Sequence, residues 1–128
     1  MHTTQCLLVD DDLDDQEVFL MTLEKINKNI TCLTANNGVE ALSLLTAQDS
    51  FVPDYIFLDV NMPKMNGIEC LKNIKGIAHL RNCKVFMYST TSETSVLEKS
   101  KTLGATDFIV KPASPAVLKE TLSEILNN

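Results

Sequence analysis

One domain with a single hydrophobic core accounts for the 128 residues, so folding requires neither disulfides nor a structural metal. Lys and Arg number 11 against 17 Asp and Glu, and the net charge of −6 argues against non-specific binding to nucleic acid or to anionic membranes. No apolar run approaches the roughly 18 residues of a membrane-spanning helix.

The cysteine spacing shows neither a C-x-x-C pair nor a zinc-binding pattern. Residues 1–5 lack the basic segment with which a secretory signal begins. We therefore expect a reduced, cytoplasmic protein whose cysteines are small core residues. These cysteines are Cys6, Cys32, Cys70 and Cys83.

The first third of the chain alternates strand and helix patterns. Residues 6–9 form a continuous apolar run, which predicts a strand buried on both faces. Apolar residues then recur at helical spacing, at Phe19, Leu23 and Ile26. Residues 30–34 alternate between apolar and polar, which predicts an edge strand, and a second helix follows with Asn36 or Asn37 as its N-cap.

Three further continuous apolar runs follow, at residues 55–58, 85–88 and 108–110. Each predicts another strand buried on both faces. Helical stripes separate them: a third helix carries Ile68, Leu71 and Ile74, and a fourth, over residues 92–103, has only a weak apolar stripe.

Glycine and proline mark the ends of the last two predicted helices. Gly104 ends the fourth helix in the position that favours glycine. Ser114 and Pro115 begin the fifth helix as its N-cap and first residue. Five strand–helix units with right-handed crossovers predict an α/β fold, a doubly wound parallel sheet with helices on both faces.

Polar side chains stand where the predicted strands end. Asp10 and Asp11 follow the first strand, Asp59 follows the third, Ser89 ends the fourth and Lys111 follows the fifth. Parallel strands place these ends at one edge of the sheet, where such folds carry their sites. Clustered carboxylates repel each other unless a cation intervenes, so the combination suits Mg²⁺ and a phosphoryl group.

The segment at residues 58–67, LDVNMPKMNG, carries the pattern D-x-x-M-P-x-x-x-G. Ser89 lies 30 residues after Asp59, and Lys111 lies 52 residues after it. With these motifs the chain, from Leu7 to Leu126, resembles the receiver domain of bacterial response regulators, of the chemotaxis-type single-domain kind. The resemblance implies a flavodoxin-like sheet of order 2-1-3-4-5 with five helices.

The resemblance also implies roles for individual residues. Asp59 would accept a phosphoryl group from a histidine kinase or a phosphotransfer protein. Asp10, Asp11, Asp59 and the backbone carbonyl of Asn61 would hold Mg²⁺, with Mn²⁺ as a substitute. Lys111 would serve catalysis with Asp59, by pairing first with its carboxylate and then with the phosphoryl oxygens.

Further expectations concern the switch and the loops. Ser89 would donate its hydroxyl to a phosphoryl oxygen, and Phe108 stands where many family members have a tyrosine. Gly67 would allow the loop after Asp59 to turn. We also expect a cis peptide between Lys111 and Pro112.

Residues 1–128 are expected to form one receiver domain without an output domain, or to be a fragment of a longer protein, since no DNA-binding domain follows the predicted fifth helix in this sequence. The phosphorylated protein would bind an unidentified protein partner through helix 4, strand 5 and helix 5, as a monomer or weak dimer. We expect only self-phosphorylation and autodephosphorylation, and no other enzyme activity.

The remaining acidic residues of the first loop have a simpler interpretation. Asp12, Asp14 and Asp15 suit the solvated N-terminus of the first helix, where carboxylates are favoured.

Three other functions fit the sequence less well than a receiver does. A phosphatase with an aspartate nucleophile needs a general-acid Asp two residues further on, where this chain has Asn61. A flavodoxin-like cofactor binder needs a Gly-rich phosphate loop after the first strand, and the acidic loop found there would repel a phosphate. A degenerate receiver, acting only as a binding module, is disfavoured because every required position is filled.

Overall fold

The computed structural model describes residues 3–47, 51–91 and 93–126. Strands and helices alternate along these ranges: β1 Thr4–Val9, α1 Leu13–Ile26, β2 Ile30–Ala35, α2 Gly38–Thr46, β3 Tyr55–Leu58, α3 Gly67–Lys75, β4 Lys84–Ser89, α4 Thr94–Thr102, β5 Asp107–Val110 and α5 Pro115–Leu126. A short 3₁₀ turn at Ala78–Leu80 precedes β4.

The five strands form one parallel sheet in the order β2-β1-β3-β4-β5. The predicted doubly wound α/β fold and its strand order are therefore confirmed. Val9, the last residue of β1, pairs with both Ala35 and Leu58, and Leu58 pairs with Met87. This register brings the carboxyl ends of the central strands to one level, so the residues that follow them are neighbours.

Each face of the sheet has its own apolar core. On one face the strands pack against α2 and α3, through side chains such as Leu45 and Leu71. On the other face they pack against α1 and α5, and the Phe19 ring lies edge-on, 5.1 Å from that of Phe57 and 5.5 Å from that of Tyr88. Burying this apolar surface on both sides drives the fold.

The cysteines are packing residues, as predicted. Cys6, Cys70 and Cys83 are buried and Cys32 is half-buried, and all four are free thiols. Burial raises the pKa of each to about 12, so at neutral pH they remain protonated.

The strand predictions hold for β1, β3 and β4, which are buried on both faces, and for β2, which alternates at an edge. Residues 108–110 form the predicted strand within β5, but the predicted burial on both faces is wrong: Val110 is 47% exposed and Phe108 is only half-buried. β5 is the other edge of the sheet, beside α4, whose one buried residue is Ser100. Helix cover is therefore thin on the face that carries Phe108 and Val110.

The predicted helix ends are confirmed where the structure describes them. Asn37 caps α2, since its side chain accepts a hydrogen bond of 2.9 Å from the Glu40 N–H. Ser114 accepts from the Val117 N–H at the start of α5, and Gly104 follows α4 with a φ of +98°. α4 begins at Thr94, and Ser92, its expected start, lies outside the described residues.

The expected cis peptide between Lys111 and Pro112 is wrong, because every peptide bond in the described ranges is trans. The Lys111 N–H donates to the Ser89 carbonyl at 2.8 Å, which keeps the backbone beside β4. From there the long side chain reaches the sheet edge without a cis bond.

No helix within residues 3–47, 51–91 and 93–126 is long and apolar enough to cross a membrane.

Candidate phosphoacceptor site

Three carboxylates meet at the carboxyl edge of the sheet. Asp10 and Asp59 extend β1 and β3, since the Asp10 N–H donates to the Ala35 carbonyl at 3.0 Å and the Asp59 N–H to the Val9 carbonyl at 2.9 Å. Asp11 follows Asp10 on the exposed side. One oxygen from each of Asp10, Asp11 and Asp59 lies within 4.8 Å of the others.

The Lys111 ammonium lies among carboxylates from three elements. Its Nζ donates to Asp10 Oδ2 and to Asp15 Oδ2, both at 2.8 Å, and to Asp59 Oδ2 at 3.3 Å. The same Nζ stands 5.4 Å from the centre of the Tyr88 ring. An ammonium has three N–H donors, so these three carboxylates use all of them.

Burial and charge perturb the groups in this pocket. Burial raises the pKa of the Asp10 carboxyl above its usual value, although the Lys111 hydrogen bond opposes that shift. Burial alone would lower the pKa of Lys111, but its hydrogen bonds with Asp10 and Asp15 outweigh burial and raise it. Lys111 is therefore a permanent cation among more anions than it can neutralise.

The loop after β3 positions the Asp59 carboxylate. The Asn61 N–H donates to Asp59 Oδ1 at 3.3 Å, and Asn66 caps α3 through a 2.9 Å bond from the Glu69 N–H. The left-handed residue of this loop is Lys64, with a φ of 68°. The expectation that Gly67 makes the turn is thus wrong.

Gly67 is required for a different reason. It begins α3 so close to the preceding strand that a Cβ would overlap the Asp59 carbonyl oxygen and lie 2.8 Å from the Val60 Cα. Its N–H donates to the Val60 carbonyl at 2.9 Å. A missing side chain therefore lets α3 pack directly against the backbone that carries Asp59.

Ser89 and Phe108 stand to the side of the carboxylates. Ser89 is fully buried at the end of β4, and its Oγ accepts from the Thr91 N–H at 3.5 Å. Phe108 lies on β5 at a surface groove of about 400 Å³ that Leu97 and Ser100 of α4 also line. Asn61 is exposed in the loop beside Asp59.

Sequence reasoning missed the contacts of Asp15 and Tyr88. The first-turn interpretation fits Asp12, which caps α1 by accepting from the Asp15 N–H at 3.1 Å. It also fits the place of Asp15 in the first turn, but it missed that the Asp15 carboxylate binds Lys111. No local pattern pairs residues 96 positions apart. Tyr88 could have been noticed, since it directly precedes Ser89 at the strand end.

The donors fit a hard divalent cation. They are all carboxylate oxygens, the ligands that Mg²⁺ and Mn²⁺ prefer. With Asp15, four carboxylates face one ammonium, which leaves negative charge that a cation would compensate. The side chains are thus suited to magnesium in both chemistry and charge.

The family model of the response regulator receiver domain matches residues 6–123. The chain belongs to this family. Receiver domains bind Mg²⁺ at an acidic pocket, which the cluster of Asp10, Asp11 and Asp59 provides here. As CheY-like signalling domains, they interact with histidine kinases and downstream targets. Membership favours a receiver over a phosphatase or a flavin binder.

Relatives and solved structures agree with this assignment. A chemotaxis protein CheY homolog of Campylobacter jejuni is 32% identical over 120 residues, covering 94% of this receiver and 90% of the relative. The Mn²⁺-bound response regulator Rcp1 is 25% identical with a TM-score of 0.85, covering 95% and 91% of the two chains. The phosphorylated cyanobacterial phytochrome response regulator RcpA is 26% identical with a TM-score of 0.89, covering 97% and 91%.

Proposed function

We propose that this receiver accepts a phosphoryl group on the Asp59 carboxylate, from a histidine kinase or a phosphotransfer protein, in a reaction that requires Mg²⁺. The observation that carries this proposal is the position of Asp59 between two other carboxylates and the Lys111 ammonium. One pocket thus combines a nucleophile, ligands for a cation and a counter-charge for a phosphoryl group.

In the proposed reaction an Asp59 oxygen attacks phosphorus while the bond between phosphorus and the donor breaks, which leaves an aspartyl phosphate. Asp10, Asp11, Asp59 and the Asn61 carbonyl would hold Mg²⁺, or Mn²⁺ in its place, which supplies positive charge to the phosphoryl oxygens. Lys111 neutralises a further phosphoryl oxygen. Placing charges and aligning groups is most of what phosphoryl transfer needs.

The proposed activity is confined to this chain: self-phosphorylation from a donor and slow loss of the same phosphoryl group. The receiver would act on a protein target and not on nucleic acid, as its charge of −6 favours. A monomer or weak dimer suffices for this task.

We further propose that the output surface comprises α4, β5 and α5. Ser89 Oγ accepts a long hydrogen bond of 3.5 Å from the Thr91 N–H, and donation of its hydroxyl to a phosphoryl oxygen would be a stronger interaction. A shift of Ser89 toward the phosphoryl group vacates space beside β4, and the half-buried Phe108 on β5 fills it. The groove between α4 and β5 then changes shape for a partner.

Metal dependence tests the proposed reaction. Acetyl phosphate in Mg²⁺ should add about one phosphoryl group to the intact mass, and EDTA should abolish the addition. Asp11→Asn should raise the Mg²⁺ concentration needed, because it removes one ligand. The matched control Asp14→Asn, which changes an exposed acid of the same region, should label like wild type. Equal labelling in Mg²⁺ and in EDTA would contradict the proposal.

A further inference from the structure

Asp15 is a carboxylate beyond the proposed metal ligands that is bound to Lys111. It lies in the first turn of α1, and its Oδ2 is 2.8 Å from Lys111 Nζ, nearer than the 3.3 Å of Asp59 Oδ2. The side chain of Asp15 is 41% exposed, whereas those of Lys111 and Asp10 are 10% and 0% exposed. Asp15 therefore closes the solvent side of the Lys111 ammonium.

All three N–H donors of the Lys111 ammonium are engaged in this arrangement. Its three N–H groups are shared among Asp10, Asp15 and Asp59. An aspartyl phosphate takes over the N–H that Asp59 shares now, and its added oxygens draw the ammonium toward them. Lys111 Nζ must then move away from one of the other two carboxylates. The outcome depends on which carboxylate loses its bond at the lowest cost.

The partly exposed Asp15 carboxylate can lose its ion pair with Lys111 at the lowest cost. Asp10 is fully buried, and a buried carboxylate that loses its cation keeps an uncompensated charge. Asp15 can exchange Lys111 for water, because almost half of its side chain is exposed. The Asp15–Lys111 pair is therefore the bond that breaks when Lys111 turns to a phosphoryl group.

We propose that Asp15 is a positioning residue that holds Lys111 in its resting place and competes with the phosphoryl group for it. This inference rests on the proposed function, since it assumes that Lys111 binds a phosphoryl oxygen. Because of this competition, the phosphorylated state is less favourable than it would be in a pocket without the Asp15 carboxylate. A simple effect of negative charge near the site is the alternative, and it predicts no difference between Asp15 and its neighbour Asp14.

Beryllofluoride binding in saturating Mg²⁺ separates these two explanations. Asp15→Asn and Asp14→Asn remove the same charge one residue apart, but only the first removes a partner of Lys111. We expect the half-saturating beryllofluoride concentration of Asp15→Asn to be lower than that of Asp14→Asn by about two- to fivefold. Equal values, or weaker binding by Asp15→Asn, would overturn the inference.

The Lys111 side chain supplies a second readout without any ligand. In NMR spectra of the unmodified protein, Asp15→Asn should shift the Lys111 Nζ signal and Asp14→Asn should leave it in place. An unmoved signal in Asp15→Asn overturns the inference. If wild type fails to bind beryllofluoride in Mg²⁺, the proposed function is wrong and this inference is wrong with it. If wild type binds and the two variants have the same half-saturating concentration, only the proposed role of Asp15 is wrong.

Discussion

Lys111 is the cation that faces the carboxylates of this pocket. Its ammonium contacts Asp10, Asp15 and Asp59 and neutralises part of their negative charge. A divalent cation competes with it for the same carboxylates. We therefore expect the Lys111 side chain to weaken the binding of metal to the unmodified protein.

Lys111→Ala should consequently bind Mg²⁺ more tightly than wild type, by at least about 1 kcal/mol, or fivefold, because the carboxylates lose a competing positive charge. The rise of the melting temperature with Mg²⁺ concentration measures this affinity. Lys28→Ala, which changes an exposed lysine before β2, is the matched control and should titrate like wild type. Weaker Mg²⁺ binding by Lys111→Ala would show that the ammonium does not compete with the metal.

At the scale of elements, α3 is joined to the segment that follows β3 and carries Asp59 by a contact that excludes a side chain. Gly67 starts this helix against the backbone of Asp59 and Val60, so a methyl group there has no room. The position of Asp59 and the packing of α3 are therefore coupled.

Gly67→Ala should destabilise the fold by about 1–3 kcal/mol, the usual cost of overpacking a tight site. Urea unfolding measures this loss. Gly76→Ala is the matched control: its φ is −83°, and a Cβ would meet the nearest atom at 3.4 Å, so we expect a small effect. If the two variants unfold at the same urea concentration, Gly67 is not required for close approach.

α4 and β5 are the loosely packed elements of the molecule. One residue of α4 is buried, and β5 exposes Val110 and part of Phe108. Elements with few buried contacts change position at low cost. We therefore expect the response to modification of Asp59 to spread along this edge and not across the sheet.

Ser89→Ala should bind beryllofluoride but lose much of this response, because the variant lacks the hydroxyl that would move toward the modified carboxylate. NMR spectra with and without beryllofluoride measure the response of each residue. In wild type, the largest shifts outside the pocket should fall on α4, β5 and α5. Shifts on α1 and α2, equal in wild type and Ser89→Ala, would contradict this mechanism.

For the whole molecule, much of the fold could be predicted because buried parallel strands are continuous apolar runs. The runs that contain Leu8, Phe57 and Phe86 have this form, and the structure buries each of them. The run at Phe108 and Val110 has the same composition but lies at a sheet edge. Composition alone does not report which strand is last in the sheet. The order 2-1-3-4-5 that the family resemblance implies does place this strand at an edge, so its partial exposure follows from that order and not from the apolar run.

The residues of the pocket that directly follow strands could be predicted from the sequence. Asp10, Asp59 and Lys111 follow strands whose ends meet, and their spacing matches one family. The Asp15 contact was not predictable, because it depends on how far α1 extends over the sheet edge and on where a long lysine side chain points. The close approach at Gly67 likewise depends on three-dimensional packing.

The central claim is that Asp59 is the phosphoacceptor, and intact-mass measurement after treatment with acetyl phosphate in Mg²⁺ tests it most directly. Asp59→Asn retains the shape of the side chain but lacks the carboxylate nucleophile. Asp12→Asn is the matched control, since Asn also caps helices well and Asp12 lies in the adjacent acidic loop. Wild type and Asp12→Asn should each gain about one phosphoryl group, and Asp59→Asn should gain none. Stoichiometric labelling of Asp59→Asn would contradict the account and place the acceptor elsewhere.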